Sequence, residues 1–225
     1  MALRRLIAPL VFGLGGAAIL IGLGFWQVQR LSWKEGVLAE IDARIAAPPV
    51  ALPEAPDADR DRFLPVRVAG RFTGEALDVL TSRKGQGAGF RIVAVMETDA
   101  GRRILIDRGF LPEARRADPR AEGPATVTGN LHWPDDKSSS TPPPDLARGI
   151  WFSRDVADMA AALDTEPVLV VLRAGGPQDG VTPMPLDTSG IPNDHLGYAV
   201  TWFLLAVVWL GMTVLLVWRI WRRSA

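Results

Sequence analysis

Two stretches of this chain contain no charged residue: residues 6–29 and 195–218, of 24 residues each. Both are apolar all round rather than on one face. At about 1.5 Å per residue each makes a helix of about 36 Å, enough to cross a hydrocarbon core of about 30 Å. Residues 30–47 keep Leu31, Leu38, Ile41 and Ile45 on one side and contain no Pro, so the first helix is expected to run on as a helical extension. Pro48, Pro49, Pro53 and Pro56 then mark 48–64 as a linker. From Pro65 the period becomes two. Val66, Val68 and Phe72 alternate with Arg67 and Arg71, and runs at 77–80, 90–96, 103–107, 125–131 and 168–172 repeat the strand signature. Glycines at 85–89 and the Asp99-Ala100-Gly101 run supply turns. This predicts five or six strands, mostly antiparallel. A helix is expected over about 154–163, with Ser153 as its N-cap, and 133–149, rich in Ser and Pro, as a mobile loop.

Charge orients this arrangement. The chain has 25 Lys and Arg against 25 Asp and Glu, yet the two tails hold Arg4, Arg5, Arg219, Arg222 and Arg223 and no acid. The positive-inside rule places such tails in the cytoplasm. The fold class expected is a membrane protein: two transmembrane helices flanking a mainly antiparallel β (α+β) extracytoplasmic domain. Its segments are a cytoplasmic tail at 1–5, spans at 6–29 and 195–218, the extension at 30–47, the linker at 48–64, the domain at 65–194 and a second tail at 219–225. The first apolar run is too long for a cleaved signal and is read as an uncleaved anchor. Six of the eight Trp lie in or beside the spans, where interfacial anchoring is their ordinary role.

Candidate chemistry is sparse. With no Cys, covalent c-type haem attachment, iron–sulfur ligation and thiol chemistry are excluded, and two His cannot make a three-histidine metal site. His132 stands beside Trp133 near Asp135 and Asp136, but no Ser lies in a nucleophile elbow. No catalytic residue is assigned, and the chain is not expected to be an enzyme. Arg83, Lys84, Arg91, Arg102, Arg103 and Arg108 are interleaved with apolar strand residues and are expected on solvated strand faces. The segment between the spans is net acidic, which argues against nucleic acid. His195 opens the second span. Steps of three and four from it reach Tyr198, Trp202, Leu205, Trp209 and Met212, one face with an imidazole at its rim and rings below, a pattern that suits a flat macrocycle with one axial ligand. On the first span Gly15, Ala18, Gly22 and Trp26 are expected to form the face of close helix approach. The alternative reading is two packed helices with His195 bonded to a neighbour.

At these residues the chain resembles the Surfeit-locus-one family of cytochrome c oxidase assembly factors. The family's opening motif stands here as Gly24-Phe25-Trp26-Gln27, followed by Arg30-Leu31-Ser32-Trp33-Lys34, and its closing motif as Asn193-Asp194-His195-Leu196-Gly197-Tyr198-Ala199-Val200-Thr201-Trp202-Phe203. Arg71-Phe72 with Gly70, and Ile106-Asp107-Arg108-Gly109-Phe110, resemble two of its strands. Asp194 and Phe110 depart from a more common Asn and Trp. The resemblance implies a factor that promotes maturation of the haem-bearing subunit of the oxidase, with haem A as a transient cofactor. It also implies that His195 is the residue that ligates the haem iron, flanked by Tyr198, Trp202 and Trp26. Haem A synthase is a further partner it brings into view, beside the lipid bilayer. A bacterial inner membrane with a periplasmic domain is the expected location, because the apolar run begins at residue 6 without a Ser- and Arg-rich amphipathic stretch. A scaffold that stabilises an oxidase subunit without haem is the alternative.

Overall fold

The computed structural model describes residues 2–120 and 122–224. It divides into two compact units, residues 1–40 with 188–225, and residues 41–187.

The first unit is a helix pair. Helix α1 runs Ala2–Ala46 and helix α3 runs His195–Ser224, while α2 lies in the second unit. In their most apolar windows only 11% and 6% of the residues are buried. A core helix of a soluble domain would hide such a face, so these side chains require hydrocarbon around them. The protein is a membrane protein with two spans flanking a sheet domain. The 45 residues of α1 make about 68 Å, more than twice a bilayer core, so its C-terminal part continues past the membrane.

Among the described residues the second unit is built on seven strands: β1 (Val50–Ala51), β2 (Pro65–Arg83), β3 (Gly87–Thr98), β4 (Arg103–Pro112), β5 (Glu122–Leu131), β6 (Ile150–Trp151) and β7 (Leu169–Ala174). The sheet closes on itself in the order β2, β3, β4, β7, β5 and back to β2. Four of those five contacts are antiparallel, and β4 with β7 is parallel. The two runs expected at 66–72 and 77–80 are one strand. Its register against β3 shifts between Phe72 and Ala76, where Gly74 takes φ +87°. A bulge bends a strand and increases its twist, which turns β2 from β5 towards β3. The linker 48–64 also contributes β1, paired parallel with Val66 and Arg67.

Period-two alternation accounts for the interior. Val66, Val68, Phe72, Met96, Ile104, Ile106, Val127, Leu131, Val170 and Leu172 all point inward. The opposite face of β3, β4 and β7 presents Val93, Leu105 and Leu169 to Trp151 and to Val156 and Met159 of α2 (Val156–Leu163). Strand β4 is therefore buried on both faces and reads as a continuous apolar run. The N-cap of α2 is Asp155 rather than Ser153. The Asp155 carboxylate accepts the Asp158 N–H at 3.0 Å, and Ser153 is buried two residues earlier.

Lys84 is exposed as expected and Arg103 keeps a partly exposed pair with Glu75, but Arg91 on β3 and Arg108 on β4 are not on solvated faces. The Arg108 side chain is 1% exposed and holds Asp179 through two bonds of 2.7 and 2.6 Å. Arg91 and Arg154 both pair with the fully buried Asp107, at 2.7 and 3.2 Å, and Arg102 pairs with Glu166 at 2.6 Å. The cause is a layer that the sequence pattern did not announce. Residues 175–184 fold back over β4 as a strap, joined to Phe110 by a two-way backbone bridge with Thr182 at 2.8 Å. Arg91 donates to the Met184 carbonyl at 2.9 Å. Arg108 is the extra residue of a bulge opposite Ile92 and Val93, and Gly109 follows at φ +104°. A Cβ at Gly109 would run into the Thr182 carbonyl oxygen and the backbone of Pro183 and Met184.

Gly109→Ala therefore combines a left-handed backbone with a main-chain collision and should cost about 2 to 4 kcal/mol. Gly101→Ala, at φ +77° in open space, should cost only about 1 kcal/mol. Denaturation midpoints of the two variants check this; equal losses would show that the strap does not sit against Gly109.

Candidate functional site

Among the sequence candidates, His195 is the one the helix pair organises. It is the first residue of α3, half-buried, and its Nδ1 lies 2.8 Å from the Gln27 Oε1 of α1. An amide oxygen only accepts, so Nδ1 carries the proton and donates. In the neutral form of the ring the lone pair is then on Nε2. A histidine that ligates a metal usually has this arrangement, its second nitrogen donating to a fixed oxygen that orients the ring. Gln27 itself is buried. Lys34 adds a contact at the same end by donating to the Pro192 carbonyl.

Further along, the helices meet through different small residues from those expected. Gly13, Gly16 and Gly24 pack against Thr213, Trp209 and Phe203, and Ala17, Ala199 and Ala206 are buried between them. Gly15 and Gly22 have nothing within reach of a Cβ, and Ala18 is exposed. The contact stripe repeats at 13, 16/17, 20, 24 and 27, and the Gly15, Ala18, Gly22 and Trp26 stripe lies on the opposite, exposed face of α1. Trp209 Nε1 donates to the Gly13 carbonyl at 2.9 Å, a second polar tie in apolar surroundings. Trp202 is half-buried at the pair. Tyr198 is 57% exposed and Trp26 is 54% exposed. The structure thus joins His195 to Gln27, leaves Tyr198 on an open flank of α3 and turns Trp26 away from the contact. Gln27 was missed as a site residue, although an amide inside an uncharged span is a signal for a functional or packing role.

His132, by contrast, is a half-buried residue of the sheet domain. Its ring stacks on Phe63 at 5.5 Å and 24°, and its Nδ1 is buried without a hydrogen-bond partner among the described residues. Burial pushes its pKa down to about 4, and the nearby Arg154 and Arg62 push in the same direction. Phe63 holds φ +69° there, fixed by its N–H to the Leu131 carbonyl at 2.8 Å and by Asn130 Nδ2 on its own carbonyl at 2.9 Å. Asn130 also donates to the Ile45 carbonyl at 3.0 Å, as Arg173 does at 3.1 Å, which satisfies an orphan acceptor at the C-terminus of α1.

A folded-state pKa below the unfolded value means that the unfolded chain binds the proton first. The stability His132 contributes is present above about pH 6.5 and is lost as pH falls towards about 4, by at most about 3 kcal/mol. Denaturation midpoints measured between pH 7 and 4 should fall, and His132→Phe should flatten that slope; an unchanged slope in the variant would reject this assignment.

Two lipid-facing helices bound by Gly contacts, a His and Gln pair at one end, and a closed sheet between them in sequence define a two-span membrane protein with an extramembrane domain. The profile of the SURF1 family matches residues 14–207. The chain is 30% identical to Surfeit locus protein 1 of Homo sapiens over 213 residues, 82% of this chain and 69% of the human protein. It is 28% identical over 221 residues to the SURF1-like protein of Rickettsia felis, covering 92% of this chain and 93% of that one. Against the SURF1-like protein of Drosophila melanogaster it is 30% identical over 232 residues. The chain belongs to the SURF1 family.

Proposed function

We propose that this protein is an assembly factor for haem-A-containing cytochrome c oxidase, holding haem A and presenting it to the haem-bearing oxidase subunit. The observation that carries the haem reading is the His195 and Gln27 pair, in a chain of this family. Haem A fits these residues. A single imidazole with its lone pair on Nε2 could ligate the iron, and Tyr198 and Trp202 on the same side of α3 would offer ring faces to the macrocycle. When bound, the haem would supply the iron that His195 ligates. Gln27 fixes the ring and its tautomer, and the apolar helix faces keep water away. No turnover by the chain's own groups is part of this reading. A single protein ligand suits retention that must end in release.

The location we propose is a bacterial inner membrane, with both termini cytoplasmic and the sheet domain periplasmic. It rests on the basic tails and on the bacterial relative. Alkaline phosphatase fused after Ala225 should be inactive and a fusion at Gly123 active; the reverse result would invert the topology.

His195→Ala, purified from cells that make haem A, should lose most of its haem and its Soret band at unchanged yield, and should fail to restore oxidase activity in a strain lacking the wild-type protein. Tyr198→Phe, which keeps the ring, should retain both. Equal haem in the His195→Ala protein would leave the Gln27 bond as a helix clamp and favour the scaffold without haem.

A further inference from the structure

Between the two spans runs an apolar groove of about 490 Å³, walled by Gly16 and Ile19 of α1 and by Leu205, Val208 and Met212 of α3, with Trp209 at its floor. A second hollow continues it, sharing Trp209 and Met212. The groove lies on one particular flank of α3. Steps of three and four from His195 pass Tyr198, Leu205 and Met212, whereas the buried stripe through Ala199 and Ala206 lies to the other side. Leu205 is about 15 Å further along α3 than His195, half the thickness of a hydrocarbon core. The groove therefore opens on the same flank as Tyr198, in the direction away from His195 and towards the membrane interior.

We infer that this groove is the seat of the isoprenoid tail of haem A. The inference rests on the haem-binding reading above and specifies which part of the chain recognises one of the two features, the isoprenoid tail, that separate haem A from an ordinary protohaem. The occupant follows from continuity. A macrocycle held at His195 and lying over Tyr198 has only this flank below it. Its hydroxyethylfarnesyl chain, three isoprene units hung from the ring's edge, is long enough when extended to enter at Leu205. The groove has no polar lining to satisfy, as the three isoprene units beyond the ring-proximal hydroxyl require. In a bilayer, lipid chains are as apolar as the groove and compete for it, so burial alone gives no preference. The tether supplies it: once the iron is on His195, tail entry is intramolecular and benefits from a high effective concentration. Ile19 and Val208 are 66% and 58% exposed, so larger side chains there fill the groove without entering the helix contact.

The test titrates the purified full-length protein with haem A, haem O and haem B and reads the Soret band. Haem O has the tail but not the formyl group, and haem B has neither. Haem A and haem O should bind about tenfold tighter than haem B. Ile19→Trp and Val208→Trp, which block the groove from opposite walls, should each bring haem A and haem O down to the haem B affinity and leave haem B unchanged. Haem binding without a tail preference, or a preference that survives both variants, would overturn the groove and assign it to lipid. No binding of any haem by the wild-type protein would overturn the haem reading and this inference with it.

Discussion

Strand β2 must serve two neighbours that a straight strand could not reach together. Over Pro65 to Thr73 it pairs with β5, and over Ala76 to Arg83 with β3, which it also meets at Gly70 to Phe72. The bend at Thr73-Gly74-Glu75 makes this possible, because Gly74 accepts a backbone at φ +87° that a side chain would resist. Closure then removes the free edges that an open sheet of this length would expose. It also gives every inward position a partner across the barrel. The apolar residues of five strands become one interior, and the outer face of β3, β4 and β7 remains for α2 to cover.

That second covered face explains the buried charges. Once β4 is enclosed on both sides, Asp107 and Arg108 have no route to water and must find partners inside. Asp107 takes Arg91 and Arg154, and Arg108 takes Asp179 from the strap. Such pairs are poor evidence of net stability, because desolvation offsets most of the attraction, but removing one partner strands the other charge. Their consequence is registry: the strap can sit in only one place on β4.

The sequence made the spans, the strand period and the order of elements legible, because each depends on local pattern alone. Closure was not legible, since a bulge at Gly74 looks like a turn between two short strands. Nor was the strap, because 175–184 has no period and its partners are far away in sequence. The arginines on β3 and β4 read as solvated because alternation reports one buried face at a time. At the candidate site, His195, Tyr198 and Trp202 could be aligned on one helix by counting. Which stripe of α1 meets them could not, because α1 carries small residues on two opposite faces and only packing chooses between them. Gln27 became visible as the partner of His195 only after that choice.

The choice of stripe has a chemical consequence. With Gly13, Gly16 and Gly24 at the contact, the two helix backbones approach closely and bring a polar side chain of each helix together at one end. Had the Gly15, Ala18 and Gly22 stripe been used, α1 would be turned and Gln27 would face lipid, where an unpaired amide is costly. The helix contact and the orientation of the imidazole are thus one constraint. Packing of three glycines decides which face of α1 is buried, that face carries Gln27, and Gln27 decides which nitrogen of His195 keeps its lone pair. An imidazole oriented in this way needs only one polar residue from each span, which is as few as a protein can place in the spans while still holding a ring nitrogen in a set direction.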